Sequence, residues 1–163
     1  MKRVSMPDMP WITKNGSLDL AKLPIEGILK QALDDDTEKR RSAVRVLSSM
    51  HHVGRPEAGV FLLGLFISAP DDWETRSEIV EALARVHTPG CARALVDELK
   101  RVKSSNTTRR YLSVILRALS RMPLTLTRDG LEDLLKDERF TYKMKCKFRE
   151  ILEAGSEGRG FFA

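Results

Sequence analysis

Apolar residues recur along the chain in three copies of one pattern, spaced 36 residues apart. Each copy has apolar side chains at positions i, i+1, i+3, i+4 and i+7, and the positions between them are polar or small. The three copies are Ala43, Val44, Val46, Leu47 and Met50; Ile79, Val80, Ala82, Leu83 and Val86; and Ile115, Leu116, Ala118, Leu119 and Met122. This spacing places the apolar side chains in one stripe along an α-helix. We therefore predict three equivalent helices, each of which must pack against neighbours to bury its stripe.

A second helix is predicted after each of these three helices. Gly54 and Gly90 lie a few residues beyond the first two helices, where a glycine commonly ends a helix. The predicted second helices span 57–68, 91–103 and 129–139, and an irregular link that begins near Pro123 precedes the last of them. Acidic or hydroxyl residues stand before each first helix, where they can cap its N terminus.

The ends of this region each carry one further helix, predicted at 25–33 and 142–154. Because a helix pair of this length cannot bury its apolar face alone, stacked repeats bury it together. We predict an all-α fold, a right-handed α-solenoid of about three helix pairs with flanking half-repeats, over residues 25–154. Residues 1–24 are predicted to form a non-repeat N-terminal segment, and residues 155–163 a flexible tail.

Two stretches of the sequence carry a family resemblance. They are "DDDTEKRRSAVRVLSSM" and "DDWETRSEIVEALARVHTPGCARALVDELK", with an Asp-rich turn, an Arg, an Ala-Leu pair and a Gly-containing turn. This pattern resembles the HEAT-like repeats, in particular the short bacterial type named after phycobilin lyases. The third copy departs from it, because Leu112 stands where Arg40 and Arg76 predict a basic residue. The resemblance implies a scaffold that binds other proteins, although some members are chromophore lyases and a related group of DNA glycosylases uses a basic concave face.

Composition and charge narrow the class of protein. The 163 residues carry a formal net charge of +5, with 42% hydrophobic and 31% charged residues. The basic excess is spread over the chain, so it favours nucleic-acid binding only slightly. The two cysteines form no disulfide framework, the N terminus lacks the apolar region of a secretory signal, and the longest apolar run, 59–69, is too short to span a bilayer. We expect a cytoplasmic protein that does not associate with membranes.

The apolar run over 60–68 predicts a surface that something must cover. Leu62, Leu65 and Phe66 align with Glu98, Arg101 and Val102 of the next copy, so two positions that are charged there are apolar here. One face of this helix is therefore too hydrophobic for a solvated solenoid surface. Either the N-terminal segment with Trp11 packs on this face or another chain does.

The second helix of the middle copy predicts a partner-contacting face. Its polar side carries Arg93, Asp97, Lys100 and Arg101. In solenoids of this type the second helices line the concave surface, and mixed charge favours a protein partner over a phosphate backbone. The alternative is an ordinary solvated face.

The run "YKMKCKFRE" concentrates positive charge near the end of the repeat region. As a helix it places Lys143 beside Lys147, and Lys145 beside Arg149. These four residues are candidate phosphate contacts. The alternative is a solvated capping helix, which the lack of aromatic stacking residues among the lysines favours.

The remaining side chains do not predict a catalytic or metal-binding site. His51 and His87 lie 36 residues apart, but helix packing distances are long for a shared metal ion, and histidine near a helix C terminus suits the helix dipole. We predict no catalytic residue, no metal site and no cofactor, and hence a protein that is not an enzyme. The leading hypothesis is a protein-protein interaction module (an adaptor or scaffold). The alternatives are a nucleic-acid-binding solenoid and a lyase or chaperone for a cofactor-bearing protein, and the oligomeric state stays open.

Overall fold

A computed structural model describes residues 9–157 and contains eight α-helices in that range. The helices are α1 (Ile25–Ala32), α2 (Thr37–His52), α3 (Pro56–Ser68), α4 (Trp73–Leu83), α5 (Pro89–Arg101), α6 (Arg109–Arg121), α7 (Leu124–Lys136) and α8 (Tyr142–Ser156). No strand forms among these residues, and one isolated β-bridge joins Ile12 to Leu18. The prediction of an all-α fold is confirmed.

The helices pack in two rows. Helices α2, α4, α6 and α8 contact one another in order and form the first row, while α1, α3, α5 and α7 do the same in a second row. The rows contact each other along the molecule, for example where α2 meets α3 and where α7 meets α8. Each helix therefore packs on the helix two places away along the chain, as stacked helix pairs require. The right-handed sense of the stack stays a prediction.

The predicted apolar stripes form the core between the rows. Fourteen of the fifteen stripe residues are buried, and Val46 is half-buried. The acidic caps also form as expected, because the Asp36 carboxylate accepts hydrogen bonds from the backbone N–H groups of Glu38 and Lys39, and Asp72 accepts one from Glu74. The predicted hydroxyl cap before α6 does not form, since Thr108 makes no side-chain hydrogen bond to the start of that helix. Local sequence signals thus mark the starts of α2 and α4 and the buried face of three first-row helices.

The third repeat differs from its prediction. Residues after Pro123 do not form an irregular link, because α7 already begins at Leu124. Proline is compatible with a helix start, since the N–H group that it lacks would have no partner within the helix there. The buried residues Thr127, Leu131 and Leu134 then have the spacing of one helical stripe, which the shorter predicted helix would have divided.

Helix α8 runs past its predicted end. The sequence predicts that this helix ends at residue 154, but it continues to Ser156, and Gly155 faces the side chain of Leu124 on α7. A Cβ atom at position 155 would lie 3.1 Å from the Cβ atom of Leu124. This glycine therefore serves close packing between two helices. The tail residues beyond 157, including Phe161 and Phe162, lie outside the described part of the chain.

Candidate functional site

A groove of about 460 Å³ lies along the seam between α3 and α5 in the second row. Leu63 and Ile67 of α3 line one side of it, and Arg93, Asp97 and Arg101 of α5 line the other. The structure therefore brings the apolar helix and the mixed-charge helix of the sequence prediction together at one surface. Lys100, the fourth predicted residue of α5, is half-buried and is not part of the groove lining.

The α3–α5 seam is open beside Val60, although α5 contacts α3 where Gly90 meets Leu63, and the next seam in the row is closed at the equivalent valine. Val60 on α3 is 70% exposed, whereas Val96, which lies 36 residues later on α5, is only 5% exposed. Val96 is covered by α7 at Gly130, where an added Cβ atom would lie 2.8 Å from Val96 Cγ2. The residue equivalent to Gly130 in the open seam is Ala94. The open seam thus has a residue with a Cβ atom at the position where the closed seam has a glycine.

The apolar surface of α3 consists of different residues from those that the sequence predicted. Leu62 and Phe66 are buried in the protein's own core, and Leu65 is half-buried. Leu62 is enclosed in the core, and Phe66 lines the groove with little exposed area, so the role of both as partner contacts stays a prediction. The accessible apolar side chains of α3 are Val60, Phe61 and Ile67.

The N-terminal segment does not cover this apolar surface in the described residues. It is tied to the helices by the Arg55 side chain, which donates hydrogen bonds to the backbone oxygens of Leu20 and Leu23. Trp11 is half-buried, yet Ile67 remains 72% exposed. The sequence suggested that either the N-terminal segment or another chain packs on this face. No described residue of the N-terminal segment shields Ile67 from solvent, so the side chain is accessible to another chain.

A buried polar network forms the floor of the groove. Glu98 accepts hydrogen bonds from Arg76 at 3.0 Å and from the Tyr111 hydroxyl at 2.7 Å, and both charged side chains are nearly inaccessible. Arg101 donates to Glu98 at 2.8 Å and also pairs with Asp71. The network joins α4, α5 and α6, so it positions the polar wall of the groove rigidly.

The protonation states in this network follow from its contacts. Burial acts to raise the pKa of Glu98, but hydrogen bonds from Arg101 and Tyr111, with the charge of Arg76, outweigh it and hold that pKa below its ordinary value of 4.5. Burial is also the largest cause that raises the pKa of Tyr111, followed by its hydrogen bond to Glu98. The floor therefore holds a carboxylate and a neutral phenol at neutral pH.

One charged side chain on the groove wall forms no ion pair within residues 9–157. Arg101 is paired with both Glu98 and Asp71, and Asp97 lies 4.0 Å from the ammonium group of Lys100. Arg93 is exposed and forms no ion pair with any residue in the described part of the chain. Among the described residues, the one groove-wall charge without an ion pair is thus the guanidinium group of Arg93.

A larger cavity of about 920 Å³ lies on the first row, across α2, α4 and α6, and the sequence did not predict it. Several charged side chains pair across it, including Arg45 with Glu78 and Arg117 with Glu81. The sequence carries a signal for these pairs, because Arg45, Glu81 and Arg117 occupy one repeated position with alternating charge. This alternation predicts ion pairs between neighbouring helices only when it is known that α2, α4 and α6 pack side by side.

The predicted basic patch lies on α8, away from the α3–α5 groove, since α8 contacts α6 and α7. Lys143 and Arg149 are exposed, while Lys145 and Lys147 are half-buried. None of the four forms an ion pair with a residue in the described range. Their role as phosphate contacts stays a prediction.

Metal-ligating side chains do not form a cluster in residues 9–157. No group of three or more His, Cys, Asp or Glu side chains there could hold a metal ion. Cys91 is buried, and burial raises the pKa of its thiol. His51 packs against Gly59 with its Nδ1 atom unpartnered.

Comparisons with protein families, with curated proteins and with solved structures found no match for this chain. The resemblance to HEAT-like repeats therefore rests on the sequence pattern and the two-row packing alone. No helix in the described range combines the length and the apolar character needed to cross a membrane.

Proposed function

We propose that this protein is a non-enzymatic interaction module, a HEAT-like right-handed α-solenoid that works in the cytoplasm and binds another protein in the α3–α5 groove. The observation that carries the proposal is the contrast between Val60 and Val96. The two valines are equivalent in the repeat, yet 70% of Val60 is exposed and only 5% of Val96. A helix covers the second valine, and the proposal assigns a partner protein to the first.

The hydrophobic effect favours binding of a partner over the exposed apolar side chains of α3. Apolar surface contributes roughly 25 cal/mol for each Å² removed from water, so Val60, Phe61 and Ile67 stabilise a complex far more than they stabilise the free chain. An apolar surface bordered by charged residues, as the α5 wall borders this one, is typical of a protein interface. The groove also has a stable frame, because the buried network beneath it links three helices.

The test is affinity capture from an extract of the source organism, with quantitative mass spectrometry at low and high salt. A Val60→Asp/Ile67→Asp variant should lose about tenfold or more of a partner that the wild type captures in both salts. Both side chains are largely exposed, so the variant should fold, which circular dichroism checks. The matched control is Tyr142→Asp, an apolar-to-acidic change at a 79% exposed position on α8. The proposal fails if no protein is captured, or if the groove variant captures as much as the control.

A second candidate function is nucleic-acid binding on the first-row side of the molecule. It is favoured by Lys143 and Arg149 at α8 and by Arg85 and Arg110 at the first-row cavity, which form no ion pairs with described residues. A labelled duplex oligonucleotide tests it. Phosphate binding would weaken steeply with salt and weaken further in a Lys143→Gln/Arg149→Gln variant. Affinity that is undetectable at low salt would exclude this candidate. The third possibility, a lyase or chaperone role, rests on the family resemblance alone.

A further inference from the structure

We infer that the α3–α5 groove receives an amphipathic helix of the partner, whose carboxylate pairs with Arg93. This inference rests on the proposed function and specifies the chemistry of the partner. It combines three observations: an apolar stripe on α3, a position where a backbone can approach closely, and one unpaired positive charge on α5.

The stripe on α3 has helical spacing. Val60, Leu63 and Ile67 follow one another at intervals of three and four residues, so they lie in one line along the helix. A partner helix with apolar residues at the same spacing can lay its stripe along this line, which is the usual way an amphipathic helix occupies a groove. An extended partner strand would need an exposed strand edge, and none forms among residues 9–157.

Gly64 stands within the stripe and leaves room for close approach. A Cβ atom built at Gly64 would have no other atom within 4 Å, so the surface beside it is open. In the closed seam of the same row, a glycine on one helix, Gly130, receives Val96 from its neighbour. Gly64 offers a partner helix the same kind of contact, in which a side chain of one helix packs against the glycine of the other. This contact would allow the two helices to pack closely.

Charge complementarity determines the polar side of the partner helix. The other charges that line the groove have an ionic neighbour within the protein, either in the Glu98 network or, for the exposed Asp97, Lys100 at 4.0 Å. Arg93 alone among the groove-lining residues lacks an ionic partner in the described part of the chain. A carboxylate beside the apolar stripe of the partner would pair with it, whereas a lysine there would be repelled.

Selection from a displayed library of helical peptides tests the inference on the full-length protein. Peptides enriched on the wild type should carry an apolar stripe with an Asp or Glu beside it. Synthetic copies should bind the Ile67→Asp variant about tenfold more weakly, as measured by fluorescence anisotropy. The Arg93→Glu variant should weaken them about fivefold, and replacing the peptide's acidic residue by Lys should restore binding to that variant. The matched control, Arg128→Glu, changes another exposed arginine that forms no ion pair in the described residues and lies outside the groove, and it should have no effect.

The outcomes separate this inference from the function on which it rests. Peptides that depend on Ile67 but show no acidic preference and no response to Arg93→Glu would overturn the partner chemistry and leave the groove as a binding site. Failure to enrich any peptide that distinguishes the wild type from Ile67→Asp would overturn both. Sedimentation that shows a dimer abolished by Ile67→Asp would overturn the inference in favour of a second copy of this chain in the groove.

Discussion

At the scale of single residues, one repeated position is apolar in one copy and charged in the next. Position 62 is a leucine and its equivalent, position 98, is a glutamate, yet both side chains are buried. Glu98 is tolerated because Arg76 and Tyr111 reach it from the adjacent first-row helices, while Arg76 also stacks on the ring of Phe66 at 4.7 Å. A buried ion pair contributes little net stability, but losing one member leaves the other charge unpaired in the core.

Glu98→Leu should therefore destabilise the fold by about 3–5 kcal/mol, because it leaves the Arg76 guanidinium buried without its carboxylate. Adding Arg76→Leu, which copies Leu112 of the third repeat, should recover much of that loss. Urea unfolding of the wild type, both single variants and the double variant measures the coupling free energy. Additive losses would show that the two charges do not depend on each other.

The same variants measure how much the Glu98 carboxylate contributes to the pH dependence of folding stability. The pKa of Glu98 is lower in the folded protein than its ordinary value of 4.5, so the folded state favours the ionised carboxylate. Stability from this group is complete above pH 4.5 and is lost as pH falls through the folded pKa. The urea midpoint of the wild type should drop more steeply below pH 4.5 than that of the Glu98→Leu/Arg76→Leu variant. Parallel profiles would assign acid sensitivity to other carboxylates.

At the scale of helices, glycines decide how closely neighbours pack. Gly130 allows α7 to reach Val96 on α5, and Gly155 allows α8 to reach Leu124 on α7. Gly64 has the opposite setting, since it lies in mid-helix on α3 with open space beside it. A glycine in a helix costs roughly 0.5–1 kcal/mol relative to alanine, so only the packed glycines have a structural reason that offsets this cost.

The pair Gly64→Ala and Gly130→Ala should change stability in opposite directions. Gly64→Ala should raise the free energy of unfolding by about 0.5–1 kcal/mol, because the methyl group meets nothing and helix propensity improves. Gly130→Ala should lower it by about 1 kcal/mol, because overpacking against Val96 outweighs the same gain in propensity. Thermal unfolding of both variants measures the difference. Stabilisation by Gly130→Ala would mean that the α5–α7 seam adjusts freely.

At the scale of the whole molecule, stability is distributed along the stack. Each helix pair contacts only its neighbours, so stability approximates a sum of local terms. The gap between α3 and α5 lowers the stabilising contribution of the contact between the first and second helix pairs, although α2 and α3 still contact α4. The segment from α1 to α3 should therefore be the first part of the repeat region to open.

Hydrogen exchange of the native protein tests this expectation. Amides in α2 and α3 should show about tenfold lower protection than those in α5 and α6, after correction for intrinsic rates. A bound groove peptide should reduce the difference, because it supplies the contacts that the seam lacks. Equal protection along all the helices would show that the stack unfolds as one cooperative unit and that the open seam carries no energetic weakness.

The sequence alone determined the parts of this protein that depend on local physics. The 36-residue stripe predicted helices and their buried faces, since helix geometry repeats every 3.6 residues, and Asp36 and Asp72 marked helix starts because caps act within one turn. It also indicated α3 and α5 as the helices of the candidate surface. The start of α7 was missed because the predicted break at Pro123 coincided with a helix N terminus.

Only the tertiary structure decided which side chains of that surface are accessible. Leu62 and Phe66 are buried while Val60 and Ile67 are exposed, although all four are apolar and lie on one helix. Which of them is buried depends on which face of α3 is covered by neighbouring helices, and contacts between residues far apart in the chain decide that. Val96, for example, is buried where it meets Gly130, more than thirty positions later, and hydrophobic periodicity carries no information about such contacts.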